Sequence, residues 1–253
     1  MPVVAIAGRD VHVQDLGRGA PVAMVHGLVI GSLASWFFTA APVLAREHRV
    51  RMYDLRGHGK SAPAATGYDT RTLAGDLDAV TAELAGPFDV VGHSWGALVA
   101  LRFAMLHPER VRRLAIVEAP LPPSRAFEMA AFVAADDQLP QRLLDALPAS
   151  LRDAVAGGSR QAQRLLASVD QLVHHSSLLA DVRAEPDPPD DALAAIGAPT
   201  LLAYGTRSAC APAGARLAAA IPGARLQMFD GGHYLHLDAK DALAGAIAEH
   251  LRG

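Results

Sequence analysis

Cysteine is almost missing from this chain of 253 residues. Cys210 stands alone, so no internal disulfide can form and the fold must rest on its core. Lysine occurs only at Lys60 and Lys240, and asparagine does not occur. A net charge of −3 provides no basic face, which argues against a nucleic-acid partner. The opening residues MPVVAIAGRD lack a basic region and a full apolar run. No secretory signal is therefore expected, and a cytoplasmic location is the default. Residues 27–45 (GLVIGSLASWFFTAAPVLA) carry no charge over about the length of a membrane span. Pro42, two glycines and several hydroxyl side chains interrupt that stretch, so a buried loop running into a helix is expected, with no membrane partner.

What is present is apolar and periodic. With 51% hydrophobic residues the chain can build one large core. Short apolar runs at 11–14, 22–25, 50–53, 88–91, 114–117, 200–204 and 224–229 read as strands. Helical patterns fall between them, at 70–84, 95–106, 213–220 and 239–251. Strand–helix alternation predicts an α/β fold with a parallel sheet covered on both faces. Residues 121–191 break the alternation with a helical pattern punctuated by prolines. This divides the chain into a core, 1–120 and 192–253, and an inserted helical cap, 121–191.

The stretch VVGHSWGA at 90–97 matches G-x-S-x-G, with an apolar strand leading in and a helix leading out. Gly92 and Gly96 lack a Cβ, so neighbouring backbones can approach the turn closely. Such a turn lifts the Ser94 hydroxyl above the strand ends, at a helix N-terminus that favours developing negative charge. Ser94 is the candidate nucleophile.

Four segments stand in a recognisable order: MVHG at 24–27, YDLRGHGKS at 53–61, GHSWGA at 92–97 and GGHYLHLD at 231–238. On these the sequence resembles the α/β-hydrolase superfamily, over almost its whole length. Within it, GHSWGA and VEAPLPP resemble the branch of epoxide hydrolases and haloalkane dehalogenases. The resemblance implies a mostly parallel eight-stranded sheet, helices on both faces and a helical cap inserted after strand 6. It also implies an oxyanion hole made by the backbone N–H groups of Trp95 and Leu28. Rigid backbone donors suit that task because they need no reorganisation as the oxyanion forms. His26 is expected to organise the loop.

His233 is the candidate base. It follows a strand end, where open α/β sheets place their sites, and occupies the histidine of the family motif. His236 ranks below it. His93 should point into the elbow, His58 belongs to the DLRGHG turn, and His174 and His175 lie in the cap without a ligand cluster. No metal and no cofactor are expected.

The acid departs from the superfamily's usual pattern. Where an aspartate is common in the loop after a late strand, LLAYGTRSACAP carries Ser208. A neutral serine cannot stabilise an imidazolium as a carboxylate does. Glu118, directly after the apolar run LAIV, stands where haloalkane dehalogenases carry their acid, and is the candidate. An ion pair between Glu118 and Arg112 or Arg125 is the competing reading. Asp230 and Asp238 are lesser candidates.

Serine, histidine and an oxyanion hole indicate acyl transfer. An aspartate nucleophile is what epoxide and halide chemistry need, and residues 121–190 hold no tyrosine to protonate an epoxide oxygen. The expected activity is hydrolysis of an ester, lactone or thioester of a small, largely apolar substrate, free or as a carrier-bound acyl group. Trp36, Phe127, Phe132 and Leu143 are candidate pocket residues, with helix packing as their alternative. A carbon–carbon bond hydrolase and a cyclase or acyltransferase remain open on the same triad. So does a non-catalytic receptor built on the fold.

Overall fold

The computed structural model describes residues 2–121, 152–153, 157 and 160–253. Among them, eight strands form one sheet in the order β1-β2-β4-β3-β5-β6-β7-β8. The strands are β1 (Val3–Ile6), β2 (Arg9–Leu16), β3 (Ala20–Val25), β4 (His48–Tyr53), β5 (Phe88–His93), β6 (Val111–Val117), β7 (Thr200–Gly205) and β8 (Arg225–Phe229). β1–β2 and β2–β4 pair antiparallel, and every other pair is parallel. The α/β fold expected from the alternating pattern is present. β1 went unread because its four residues, at the sheet edge, are too few to show a period.

Helices, numbered over the described residues, are α1 (Ala34–Phe37), α2 (Ala41–Leu44), α3 (Thr70–Val80), α4 (Trp95–Leu106), α5 (Arg160–His174), α6 (Leu178–Ala184), α7 (Asp190–Ala194), α8 (Ala211–Ala220), α9 (Leu235–Asp238) and α10 (Lys240–Arg252). None is long and apolar enough to cross a membrane. The uncharged stretch 27–45 forms a loop and the two short helices α1 and α2.

Alternation along the central strands sorts the core into two layers. Leu202 and Tyr204 of β7 pack with Leu217 of α8 on one face. Leu201 and Ala203 pack with Leu243, Ile247 and Leu251 of α10 on the other. A strand buried on both faces must be apolar at every position, as β7 is. All parallel strands therefore end on one side, and the chain leaves them there in loops that hold His26, Ser94, Glu118, Ser208 and His233.

Part of the region 121–191 is described, and it is pinned to the core. Ser177 N donates to Ala65 O at 2.8 Å, and Tyr68 N to Asp181 Oδ2 at 2.8 Å. The buried Glu185 carboxylate accepts from Thr70 N at 2.9 Å, Thr70 Oγ1 at 2.5 Å and Arg102 at 3.3 Å. Phe127, Phe132 and Leu143 lie outside the described residues.

Replacing Glu185 by alanine strands two donors of Thr70 and the Arg102 charge in a largely dry place. The expected loss is about 2–4 kcal/mol of folding stability. Urea denaturation checks it, and an unchanged midpoint would show that the anchor contributes nothing.

Candidate active site

The elbow between β5 and α4 forces Ser94 to φ 55°, ψ −122°, a region that costs a non-glycine residue about 1–3 kcal/mol. Ser94 N donates to Val117 O at 2.9 Å, and Ser94 O accepts from Ala97 N at 2.9 Å, so the strained residue is held on both sides. The flanking glycines leave no room for a side chain. A Cβ on Gly92 would lie 2.3 Å from Gly96 O, and one on Gly96 would lie 2.5 Å from the carbonyls of Val25 and His26.

Three side chains that the sequence places far apart meet here. Ser94 Oγ lies 2.9 Å from His233 Nε2, and His233 Nδ1 lies 3.2 Å from Glu118 Oε2. An ionised carboxylate only accepts, so Nδ1 carries the proton in neutral His233 and Nε2 accepts from the Ser94 hydroxyl. His93 fixes the ring's backbone from behind, its Nε2 lying 2.9 Å from His233 O. Burial, and then the neighbouring His236 and His233, push His93 well below the ordinary histidine range, which keeps it neutral.

Glu118 has no solvent exposure and sits at φ 56°, just past the end of β6. Its amide donates to Ala203 O at 3.0 Å. Its Oε1 accepts from Gly205 N at 2.5 Å, and its Oε2 accepts from the Ser208 hydroxyl. Ser208 Oγ in turn accepts from Cys210 N at 3.0 Å. Arg112 pairs with Asp89 instead, and Arg125 lies outside the described residues. Asp230 faces Arg207 at the surface, and Asp238 accepts from Gly232 N at 2.8 Å.

One expected pocket residue is corrected. Trp36 is 1% exposed, donates from Nε1 to Val25 O at 3.1 Å, and packs with Val22, Met24 and Val91 in the core. Its size and apolar body were better used under the sheet than in a cleft. The Trp95 indole is buried too and donates to Tyr68 O at 3.1 Å. Ser208, read from the sequence at the usual acid position, does reach the Glu118 carboxylate. One neighbour of the site was missed: Cys210 registered only as an unpaired cysteine, yet its Sγ lies 3.7 Å from His233 Nδ1.

Comparison with known proteins identifies the family. The model of the alpha/beta hydrolase fold family matches residues 20–175. The pimeloyl-[acyl-carrier protein] methyl ester esterase of Chromobacterium violaceum is 32% identical over 259 residues, covering 96% of this chain and 98% of that protein. The chain belongs to the alpha/beta hydrolase fold family. It is an enzyme of the hydrolase class. Among solved structures, the enol-lactonase of Burkholderia xenovorans superposes with a TM-score of 0.77 at 24% identity over 100% of both chains. An N-acyl homoserine lactone degrading enzyme gives 0.75 at 26% identity, over 98% of this chain and 99% of that one.

In this hydrolase the loop after β3 lies against Ser94. A Cβ on Gly27 would stand 3.0 Å from the Ser94 Cβ. Among the described residues, the amides of Leu28 and Trp95 have no hydrogen-bond acceptor. Two buried histidines hold the loop. His26 Nδ1 lies 2.7 Å from Gly27 O, and its Nε2 accepts from Leu55 N at 2.9 Å. His58 Nδ1 lies 2.8 Å from Arg56 O, and its Nε2 accepts from Val29 N at 2.8 Å. Val29 needs that bond, because a β-branched residue at φ 68° is strained. Both rings can accept only while neutral. Burial lowers His26 and pushes His58 down to about 3, so the loop stays tied at neutral pH.

His58 ordinarily titrates at 6.5 and does so at about 3 when folded. The unfolded chain therefore binds the extra proton between those values, and folding stability falls as pH drops through that window. Above it, the contribution is complete. His58→Ala should remove this part of the acid sensitivity and lower stability at pH 7 by about 1–3 kcal/mol, since Val29 N–H loses its acceptor. Denaturant midpoints at pH 7 and pH 4 check both effects. An unchanged pH dependence would place the acid-sensitive group elsewhere.

Proposed function

We propose that the enzyme is a serine hydrolase that cleaves a carboxylic ester, lactone or thioester of a small, largely apolar acyl group through an acyl-enzyme. The observation that carries this reading is the unbroken relay from Ser94 Oγ through His233 to Glu118, with spacings of 2.9 Å and 3.2 Å. A binding-only receptor would have no use for the strained backbone at Ser94 and Glu118.

Each group has one task. His233 Nε2 takes the Ser94 proton as Oγ attacks the acyl carbon. The Glu118 carboxylate faces Nδ1 and stabilises the imidazolium. The amides of Leu28 and Trp95 receive the oxyanion of the tetrahedral intermediate. The Nε2 proton then passes to the leaving alkoxide or thiolate. Water, deprotonated by His233, attacks the acyl-enzyme, and the acid departs as Ser94 recovers its proton.

A relative named for a methyl ester of a carrier-bound acyl chain supports the ester reading, with a carrier-linked substrate as one form of it. Residues 121–191 act as the lid in this reading. The anchors at Ser177, Asp181 and Glu185 hold the described part of that region beside the 64–70 loop, whose Tyr68 carbonyl holds Trp95.

The test uses p-nitrophenyl esters of graded chain length, lactones and acyl thioesters, with wild type and Ser94→Ala. Fluorophosphonate should leave one adduct, on Ser94. An active enzyme whose Ser94 stays unlabelled would overturn the reading. Glu118→Gln should cut kcat by roughly two to four orders of magnitude with little change in KM, as expected for loss of a triad carboxylate. Adding Ser208→Asp to that variant should restore part of the rate, because position 208 already reaches the same carboxylate oxygen. Near-wild-type kcat in Glu118→Gln would remove Glu118 from the relay.

A further inference from the structure

The proposed relay has a feature it does not use. Cys210, Glu118 and His233 bring a thiol, a carboxylate and an imidazole nitrogen within 4.8 Å of one another. They arrive from three places: the end of β6, the start of α8 and the loop after β8. Cys210 is 3% exposed, Glu118 0% and His233 9%, so the cluster is nearly closed to water. Nδ1 lies 3.2 Å from Glu118 Oε2 and 3.7 Å from Cys210 Sγ. Zinc bonds of about 2.0–2.3 Å to nitrogen, oxygen and sulfur, at tetrahedral angles, need ligand separations of about 3.3–3.6 Å. The two distances from Nδ1 lie within a few tenths of an ångström of that requirement, and the carboxylate and thiol lie within 4.8 Å of each other. The donor set is also one that selects a metal. Thiolate and imidazole favour zinc and its chemical neighbours over magnesium or calcium.

We infer that Glu118, Cys210 and His233 form an inhibitory site for a thiophilic divalent cation such as Zn2+. The inference rests on His233 serving as the base of the proposed hydrolysis. Binding breaks the thiol S–H bond and forms a metal–thiolate bond, and the thiol proton goes to solvent. The metal takes the Nδ1 lone pair, and the ring proton moves from Nδ1 to Nε2. One proton leaves per cation bound. Two positive charges are balanced by one thiolate and one carboxylate, which suits a site with little solvent. The consequence for Ser94 is direct. An imidazole bound through Nδ1 presents N–H at Nε2, and that nitrogen can no longer accept the serine proton. Metal binding and catalysis exclude one another through the tautomer of a single ring.

The experiment follows ester hydrolysis in chelator-stripped, reductant-treated buffer as Zn2+ is raised, with Mg2+ as the control cation. Each variant is compared with its own metal-free rate. Wild type should be inhibited by Zn2+, recover with EDTA and ignore Mg2+. In C210S and C210A the Zn2+ concentration for half-inhibition should rise at least about tenfold, a loss that even outer partners of a metal can produce. Co2+ provides a readout independent of turnover. It should give a thiolate-to-metal absorption band in wild type and in Ser94→Ala, and none in C210S. Equal Zn2+ potency in wild type and C210S would overturn the site and assign inhibition to other groups, such as His174 and His175. Absence of both inhibition and the Co2+ band would overturn it as well. Should Ser94→Ala retain full hydrolysis, the hydrolytic reading fails, while the Co2+ spectra still decide whether the metal site exists.

Discussion

A carboxylate with no access to water organises this site. A buried charge is costly unless its lone pairs are met. Glu118 meets that demand with the Gly205 amide, the Ser208 hydroxyl and the His233 ring. Those partners lie at the end of β7 and in the loops after β7 and β8, so one side chain ties three neighbouring strand ends together. The ring is thereby aimed at Ser94, which comes from a fourth strand, β5. Loss of the carboxylate would leave two donors and an imidazole N–H unmatched in the same small space. Stability and chemistry are coupled there.

The same economy governs the backbone. Val29, Ser94 and Glu118 all have positive φ without being glycine, and each stands in a loop or turn at the carboxyl ends of the strands. Each is held by a hydrogen bond from elsewhere in the chain: His58 accepts from Val29 N, Val117 O from Ser94 N and Ala203 O from Glu118 N. The sheet beneath provides the rigidity, because its central strands are buried on both faces and cannot shift without opening the core. Strain at the ends of rigid strands is a stable way to keep reactive groups displayed.

Much of this was legible in the sequence, and the reasons differ by element. The central strands announced themselves because burial on both faces demands continuous apolar runs. The elbow was readable because Gly92, Ser94 and Gly96 answer a steric requirement that few sequences satisfy. Glu118 could be picked out because a carboxylate directly after LAIV must have a partner. Trp36 misled because an aromatic residue near a site loop fits cleft and core equally well until packing is known. Ser208 was legible only as the neutral occupant of the usual acid position. Cys210 stayed hidden because its meaning depends on a distance across strands, to His233, and no local spacing encodes that.

On the proposed reading, an acid carried by Glu118 shows why a fold tolerates such a change. β6 and β7 run parallel and in register, with Val117 beside Ala203, so the loops that leave them begin side by side. A site for one carboxylate lies between those loops and beneath the imidazole. A short aspartate can fill it from the loop after β7, where its backbone is close. A glutamate can fill it from the end of β6, where one more methylene spans the extra distance. In the proposed triad the second solution is used with the first position still engaged, since the Ser208 hydroxyl bonds to the Glu118 carboxylate. The requirement belongs to the ring, which needs a charged acceptor at Nδ1, and not to either strand. Two sequence positions can therefore exchange the role while the geometry at His233 is preserved.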